Sequence, residues 1–423
     1  MRIQLPMRAM LTLLSLPLTC PAQSLLDTFT YYSLNAARQP ELQFHRLIPG
    51  APFAKVASFS MPTSGTQPEN QAAFLDPRTG ELWIYSDLVG TTRDGLARYD
   101  FQAGRLTATG EEIEFSSFGG STLSGADFDD DGNFVACSPG GLVYTVDLLR
   151  RQIVKSQQLQ GVSHIRWFVP ARRGRAALAE FEEIWPSPYQ SIATFREDGS
   201  QAQVVHREFN SNWPTLISLC TMAVTTDGGR TFVTGIGPMA RFRGLYELNG
   251  ANLIRDRRIN GGAYYMLEDT SRGVLHLSVV LPGGENRAEL DLDRDTFHFL
   301  YDPGTPSVFW SRNLGWFPRD RLMLSPTRPT VGAPFDAVLA LGGEPGALGL
   351  VLFRHASVGG VVTNEINSVV ALGTLDSLGL QRTVLPYDPA VIPLSPGDEL
   401  IFQGFTLEGT TFASTAESSI RWR

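Results

Sequence analysis

The chain has 423 residues, is 43% apolar, carries a formal charge of −8 at pH 7, and contains 41 glycines and 27 prolines. That apolar content excludes a disordered chain and is enough for more than one packed core, and the wealth of turn formers points to short strands rather than long helices. An acidic balance with no basic run excludes nucleic acid from the expected partners.

The first 22 residues read as a secretory signal. Arg2 and Arg8 give a positive start, residues 9–18 form an apolar run too short to span a bilayer, and Cys20-Pro-Ala22 offers small residues before Gln23. Cys20 raises lipid attachment as an alternative, but Pro17-Leu-Thr19 before it is a poor lipoprotein signal. No later segment is apolar enough for a transmembrane helix. The expected location is therefore secreted, periplasmic or at the cell surface. Export would permit a Cys137–Cys220 disulfide, but the two occupy different positions of the repeat described next, so separate buried thiols are expected.

Between residues 75 and 277 one phrase occurs five times: a polar turn ending in glycine, then alternating apolar residues. The copies are Asp76-Pro-Arg-Thr-Gly80-Glu-Leu-Trp-Ile-Tyr, Asp129-Asp-Asp-Gly132-Asn-Phe-Val, Pro170-Ala-Arg-Arg-Gly174-Arg-Ala-Ala-Leu, Thr226-Asp-Gly-Gly229-Arg-Thr-Phe-Val and Asp269-Thr-Ser-Arg-Gly273-Val-Leu-His-Leu. Their glycines lie 42 to 55 residues apart, the period of a circular β-array. A short apolar stretch before each turn makes it a hairpin. A second hairpin follows each, as in Leu142-Val-Tyr-Thr-Val-Asp147 leading to Gln152-Ile-Val. Residues 176–184 have helical propensity, but the repeat requires a strand there, and propensity is the weaker guide.

A sixth second-hairpin, Tyr31-Tyr-Ser-Leu-Asn35 with Glu41-Leu-Gln-Phe-His-Arg-Leu47, has no first hairpin before it. Near residues 308–317 a weak first hairpin has no partner after it. The two would complete one another and close a ring, leaving no exposed edge between first and last blades. The expectation is a six-bladed β-propeller over 23–321, with five or seven blades as alternatives. Residues 322–423 hold strands every 10–15 positions and predict a small β-sandwich, with Ser325-Pro-Thr-Arg-Pro-Thr330 as linker.

Ser325-Pro, Val331-Gly, Leu339-Ala-Leu-Gly-Gly, Leu378-Gly-Leu, Val384-Leu-Pro and Leu400-Ile-Phe-Gln together resemble the C-terminal module of exported proteins from planctomycete-type bacteria. The resemblance covers about 100 residues and implies an exported bacterial protein. Asp130-Asp-Gly-Asn-Phe-Val is similar to phrases in the six-bladed group that includes NHL and senescence-marker/gluconolactonase-like proteins, and it is shared by many other propellers.

Asp127, Asp129 and Asp131, with Gly132, begin like a calcium loop, in which alternate acids place oxygens around the ion. The twelfth position is Ser138 and the ninth Val135, so the closing acid is absent and a polar β-turn is the expectation. Ca²⁺ or another divalent cation is the alternative to no cofactor. The six histidines show no zinc spacing. His164 is singled out because it lies where a loop enters an innermost strand. Glu180, Glu182 and Glu183 read as exposed acids on a blade edge. Register places Asn70, Ser124, His164, Thr221 and Tyr264, with Trp310 as a weaker member, at the channel mouth where propellers hold ligands.

No nucleophile elbow, Walker loop or dinucleotide fingerprint is present. The expected function is therefore non-catalytic: binding of a protein, glycan or envelope component through one propeller face. The alternative is a lactonase- or hydrolase-like enzyme with a divalent metal in the channel acting as Lewis acid. Intact-mass analysis of the protein from its native export pathway is expected to give an N-terminus at Gln23; a diacylglycerol on Cys20 would refute that cleavage.

Overall fold

The computed structural model describes residues 28–422 outside the segments 35–39, 47–53, 62–71, 88–93, 116–122, 172–175, 184–188, 210–217, 225–229, 237–243, 260–262, 270–272, 301–315, 318–321, 326–328 and 358–365 and a few breaks of one or two residues. Among the described residues every regular element is a strand. At the N-terminus β1 (Thr28–Leu34), β2 (Pro40–Arg46) and β3 (Ala54–Ser60) form an antiparallel meander. Four-stranded meanders follow. The first is β4 (Ala72–Leu75), β5 (Leu82–Asp87), β6 (Asp94–Gln102) and β7 (Arg105–Glu114). Next come β8 (Gly125–Phe128), β9 (Phe134–Cys137), β10 (Leu142–Asp147) and β11 (Gln152–Gln158), then β12 (Val162–Val169), β13 (Ala177–Glu183), β14 (Tyr189–Phe195) and β15 (Gln201–Phe209). The last two are β16 (Ser218–Val224), β17 (Thr231–Ile236), β18 (Gly244–Asn249) and β19 (Asn252–Arg255), and β20 (Ala263–Asp269), β21 (Val274–Leu281), β22 (Gly284–Asp291) and β23 (Thr296–Leu300).

The short strand β24 (Trp316–Phe317) pairs with β1 through Thr28↔Phe317 and Phe29↔Trp316. The chain's beginning and the end of the repeat region thus share a blade, in the order β24-β1-β2-β3. Among the described residues its one backbone pairing with the next blade is a parallel bridge, Ser60↔Arg105. The molecule is a β-propeller. Residues 176–184, ambiguous by propensity, supply β13, paired on both sides.

In the blades from β4–β7 to β16–β19, alternate residues of one strand enter different apolar cores. In β5, Leu82 and Ile84 pack with Leu42 and Phe44 of the preceding blade, whereas Trp83 and Tyr85 pack with Phe128 and Phe134 of the following one. In β9, Phe134 and Ala136 face back while Val135 and Cys137 face forward to Ile165 and Phe181. In β17, Val233 meets Leu178 and Ile192, and Phe232 meets Leu275 and Leu277. This period of two explains why the strands read as continuous apolar runs. Burying each such large side chain stabilises the ring by about 1.5–3 kcal/mol. The outermost strands are different: β11 is exposed along most of its length, and Val154, Val204, Ile254 and Phe299 on β11, β15, β19 and β23 lie in solvent.

The glycine turns are required by backbone geometry. Gly80, Gly132 and Gly273 all have positive φ, a region glycine enters without steric cost. The preceding acid fixes the turn: Asp76 Oδ1 accepts from Arg78 N at 2.8 Å, and Asp129 Oδ1 accepts from Asp131 N at 2.9 Å.

Neighbouring blades are also clamped by charge, with the signs exchanged between two of them. Glu81 pairs with Arg98 at 2.7 Å, and Arg151 from the next blade reaches Glu81 at 3.4 Å and Glu111 at 2.6 Å. At the matching positions Arg230 pairs with Glu247 at 2.8 Å, and Asp295 from the next blade reaches Arg230 at 3.2 Å. Arg151 and Asp295 occupy the same turn position, both with positive φ (54° and 52°). These ion pairs hold a non-glycine residue where glycine would be relaxed.

Residues 322–422 form two packed sheets, a β-sandwich. β25 (Leu322–Ser325), β26 (Phe335–Gly342) and β29 (Leu380–Tyr387) make one. β27 (Leu348–Ser357), β28 (Ile366–Thr374), β30 (Glu399–Glu408) and β31 (Thr411–Arg421) make the other, in the order β28-β27-β30-β31. Leu339, Leu341, Val351, Phe402, Ile420 and Trp422 fill the space between them. The expected linker at Ser325 is displaced. Residues 322–325 already pair with β26, so the Pro-rich stretch after Ser325 connects two strands of the sandwich.

The inner strands β8 and β12 approach closely. Phe168 N donates to Ser124 O at 3.1 Å, and Ile165 N donates to Pro139 O at 2.7 Å. A Cβ on Gly125 would lie 2.0 Å from the Phe168 carbonyl oxygen, a backbone atom that has no rotamer to move to. Gly125→Ala is expected to cost at least about 3 kcal/mol, read as a lower denaturant midpoint; a midpoint unchanged from wild type would contradict the close approach.

Candidate functional site

The acid cluster lies in the β8–β9 turn. Asp129 Oδ1 accepts from the backbone N–H of Asp131 and, at 2.8 Å, of Asn133, and its Oδ2 accepts from Asn133 Nδ2 at 3.2 Å. Asp127 Oδ1 accepts from Phe128 N at 2.7 Å. The carboxylates of Asp127 and Asp129 are thus engaged with their own loop rather than converging on a point. Among the described residues, no group of three or more His, Cys, Asp or Glu is placed to hold a metal ion. Burial is the dominant influence on Asp129 and pushes its carboxyl up to about 6, against the opposing pull of the Asn133 hydrogen bonds.

Of the expected channel-mouth residues, Ser124 and His164 lie at or near the starts of inner strands, with different roles. Ser124 is buried immediately before β8, and its hydroxyl donates to Ile165 O at 2.8 Å, tying two blades together. His164 is exposed near the start of β12. Thr221 and Tyr264 belong to the inner strands β16 and β20. Asn70 and Trp310 fall outside the described residues, as do the side chains of Thr221 and Tyr264.

One end of the blade β12–β15 is rich in polar groups, divided between its two faces: His164 and Glu182 share one, and Glu183, Ser191 and Arg207 the other. Pairing runs His164↔Glu182 and Glu182↔Gln190, with Ser191↔Arg207 beside it. A bulge between Val162 and His164 leaves Ser163 unpaired in the ladder and turns its hydroxyl to the carbonyls of Glu182, at 2.9 Å, and Glu183, at 3.1 Å. Arg166 meets Glu182 at 2.7 Å. Glu183 accepts from Ser191 Oγ at 2.7 Å and from Arg207 at 2.5 Å, while the Arg207 guanidinium lies 3.9 Å from the centre of the Tyr189 ring. Each face thus carries one ion pair, Arg166 with Glu182 on one and Arg207 with Glu183 on the other.

The glutamates read from sequence as edge acids divide accordingly. Glu182 and Glu183 belong to this polar end, while Glu180 is buried within its blade. The sequence reading did not identify Arg166, Ser191, Arg207 or Tyr189. Each lies on a different strand or far along its own, and only cross-strand register brings them to the glutamates. Elsewhere, His276 and Glu289 face each other across β21 and β22, both buried, with 3.5 Å between Nδ1 and Oε1. His45 is buried with Nε2 at 2.9 Å from Gln43 Oε1, and burial, with Lys55 nearby, lowers it to about 4. Cys137 is a free, buried thiol whose ionisation burial suppresses.

No protein-family model matches the chain, and no curated protein matches it in sequence. Among solved structures, hydrazine synthase of Kuenenia stuttgartiensis is similar over 65% of this chain and 78% of its own, with 15% identity and a TM-score of 0.38. The β-propeller domain of Cps50 (Swd1) from Myceliophteria thermophila aligns over 61% of this chain and 82% of its own, with 12% identity and a TM-score of 0.37. A chain of the mitotic checkpoint complex aligns over 75% and 87%, with 10% identity and a TM-score of 0.36. Likeness at this level concerns the path of the chain and transfers no activity.

Because the folded value of Asp129 lies above its ordinary 3.8, the folded state binds the extra proton. Its stabilising contribution is complete below about pH 4 and is lost as pH rises through about 6. Asp129→Asn keeps the acceptor for both backbone N–H groups and is expected to flatten stability between pH 4 and 6.5. Millimolar Ca²⁺ is expected to leave the wild-type melting temperature within about 1 °C, since bound ligand would raise it; a calcium-dependent rise abolished by Asp129→Asn would establish the cation site instead.

Proposed function

We propose that the protein is an exported binding protein, a ring of six blades that offers the face around His164 to a polar partner of the cell envelope or its surroundings, of glycan chemistry. The observation that carries this reading is the polar end of the β12–β15 blade, a two-faced platform. It supplies an exposed imidazole and the Arg166–Glu182 ion pair on one face, and the Arg207–Glu183 pair with the Tyr189 ring on the other. Such pre-paired groups display donors and acceptors with little conformational entropy left to lose on binding. Sugars use this mixture of directional polar contacts beside an aromatic ring. Export rests on the signal-like residues 1–22, and the six-blade count on the pairing of β24 with β1.

The sandwich leaves that face open. The first-hairpin turns, including the one at Gly80 that touches Leu380 of the sandwich, lie at the opposite end of the inner strands from the His164 rim.

The test is affinity for fractionated envelope polysaccharide, measured calorimetrically, for wild type and a His164→Ala/Arg207→Ala variant. Both side chains are at the surface, so the melting temperature is expected to stay constant while affinity falls at least tenfold, the scale of losing an anchoring contact. Equal binding by wild type and variant would refute the platform. A stoichiometric divalent metal in the purified protein, together with metal-dependent ester or lactone hydrolysis, would replace the binding reading with an enzymatic one.

A further inference from the structure

The outer face of the sandwich's four-stranded sheet is apolar. An antiparallel sheet with one solvated face alternates apolar residues inward with polar residues outward. The sheet β28-β27-β30-β31 departs from that rule. Its inner side is fixed by Gly349 and Gly404, where a Cβ would lie 3.0 Å and 2.4 Å from Leu341 of the facing sheet. The residues that alternate with these glycines therefore point away from the core. Register sets them in rows: Leu348 beside Leu407 and then Phe412, Leu350 beside Phe405, and Leu352 beside Val369. Phe412 is 59% exposed and Val369 57%, the highest values among the exposed large apolar residues described. None of these side chains joins the core between the two sheets. An apolar surface this continuous marks an interaction site.

Charge narrows the choice of occupant. Among the described residues the charged members of this face gather at one end, where Arg354 Nη2 meets both Glu417 oxygens at 2.8 and 2.9 Å and Glu399 lies opposite Arg421. Two cations and two anions cancel, on a chain whose formal charge is −8. A lipid surface would call for a basic rim, which this face lacks. A second copy of an acidic chain meets least repulsion through a face without net charge. The area is also adequate. Ten residues of β27 extend about 33 Å and four strands about 19 Å, so each copy offers about 600 Å² and two copies roughly 1,200 Å², where specific interfaces begin.

We propose that this sheet face is a homodimer interface, with the two sandwiches stacked sheet on sheet. A two-fold axis along the strands, between β27 and β30, sets β27 of each copy over β30 of the other. Leu348 and Leu350 then meet Leu407 and Phe405, and the charged ends meet each other. No residue of this face belongs to the β12–β15 blade, so the dimer and the binding reading are tested independently.

The experiment is sedimentation velocity of the protein purified from its export pathway, across about 1–100 µM, the affinity range open to an interface of this size. A reversible dimer is expected, with a melting temperature that rises with protein concentration. Leu350→Lys puts a charge at the centre of the face, and Phe412→Lys alters a side chain already largely in solvent, so the monomer's packing is preserved. Each is expected to weaken the dimer at least tenfold and to remove the concentration dependence of melting. Val154→Lys, at an exposed apolar site on β11, is expected to dimerise like wild type. A monomer throughout the range would overturn the proposal, as would a dimer that both face variants leave at wild-type affinity or that Val154→Lys weakens equally. A monomer that instead binds vesicles of phosphatidylethanolamine and phosphatidylglycerol, with binding lost in Phe412→Lys, would replace the second copy with a lipid surface.

Discussion

The structure depends on one constraint: the blades from β4–β7 to β16–β19 are sheets with two apolar faces. A sheet buried on one side needs only one partner, but a blade whose strands read Leu82-Trp83-Ile84-Tyr85 must be covered on both. Stacking blades in a line would leave the first and last uncovered. A ring covers all of them, and the pairing of β24 with β1 is where the chain meets that demand. The same requirement makes the first described strands part of the last blade, so they share a sheet with residues some 290 positions away.

Closing such a ring draws the inner strands together until backbone meets backbone. Gly125 under Phe168 and the buried Ser124 hydroxyl on Ile165 O are consequences of that convergence. Farther out the spacing is larger, and charges take over. The two clamps centred on Glu81–Arg98–Arg151 and Arg230–Glu247–Asp295 use identical positions with inverted signs. What the repeat conserves within this chain is complementarity across the gap, and the sign of any one charge is free. Both clamps are partly exposed to solvent, so each contributes of order 1 kcal/mol and serves more to fix the approach of neighbouring blades than to hold the ring shut.

Architecture and candidate chemistry are drawn from the same turns. Asp76 and Asp129 hold equivalent positions and make the same hydrogen bond to the residue two ahead. At Asp129 these bonds close a turn within the acid-rich stretch Asp127–Asp131. At Asp76 the following Arg78 is buried and ion-paired to Asp147 of the next blade, and the same turn lines a recess shared with the sandwich. The difference lies in what each turn packs against, which nothing in the local sequence states. The platform around His164 has a similar origin: a β-bulge at Ser163 and four paired strands assemble groups drawn from more than 40 residues of chain.

The sequence alone determined the repeat, the strand character of residues 176–184, the shared blade at the two ends of the propeller and the sandwich after it. These follow from period-two burial and from turns that require glycine, and both are local rules. It also identified His164 at the start of an inner strand and the acid cluster as a turn. It misplaced the linker by a few residues, because a strand as short as Leu322–Ser325 carries no periodicity. It assigned Ser124 to the rim, when one step of register turns that hydroxyl into an inter-blade tie. Arg166, Arg207, Tyr189 and the Arg78–Asp147 contact were decided only by tertiary structure. Their partners lie on other strands or other blades, and a linear pattern records which face a residue takes but not which side chain waits across the gap.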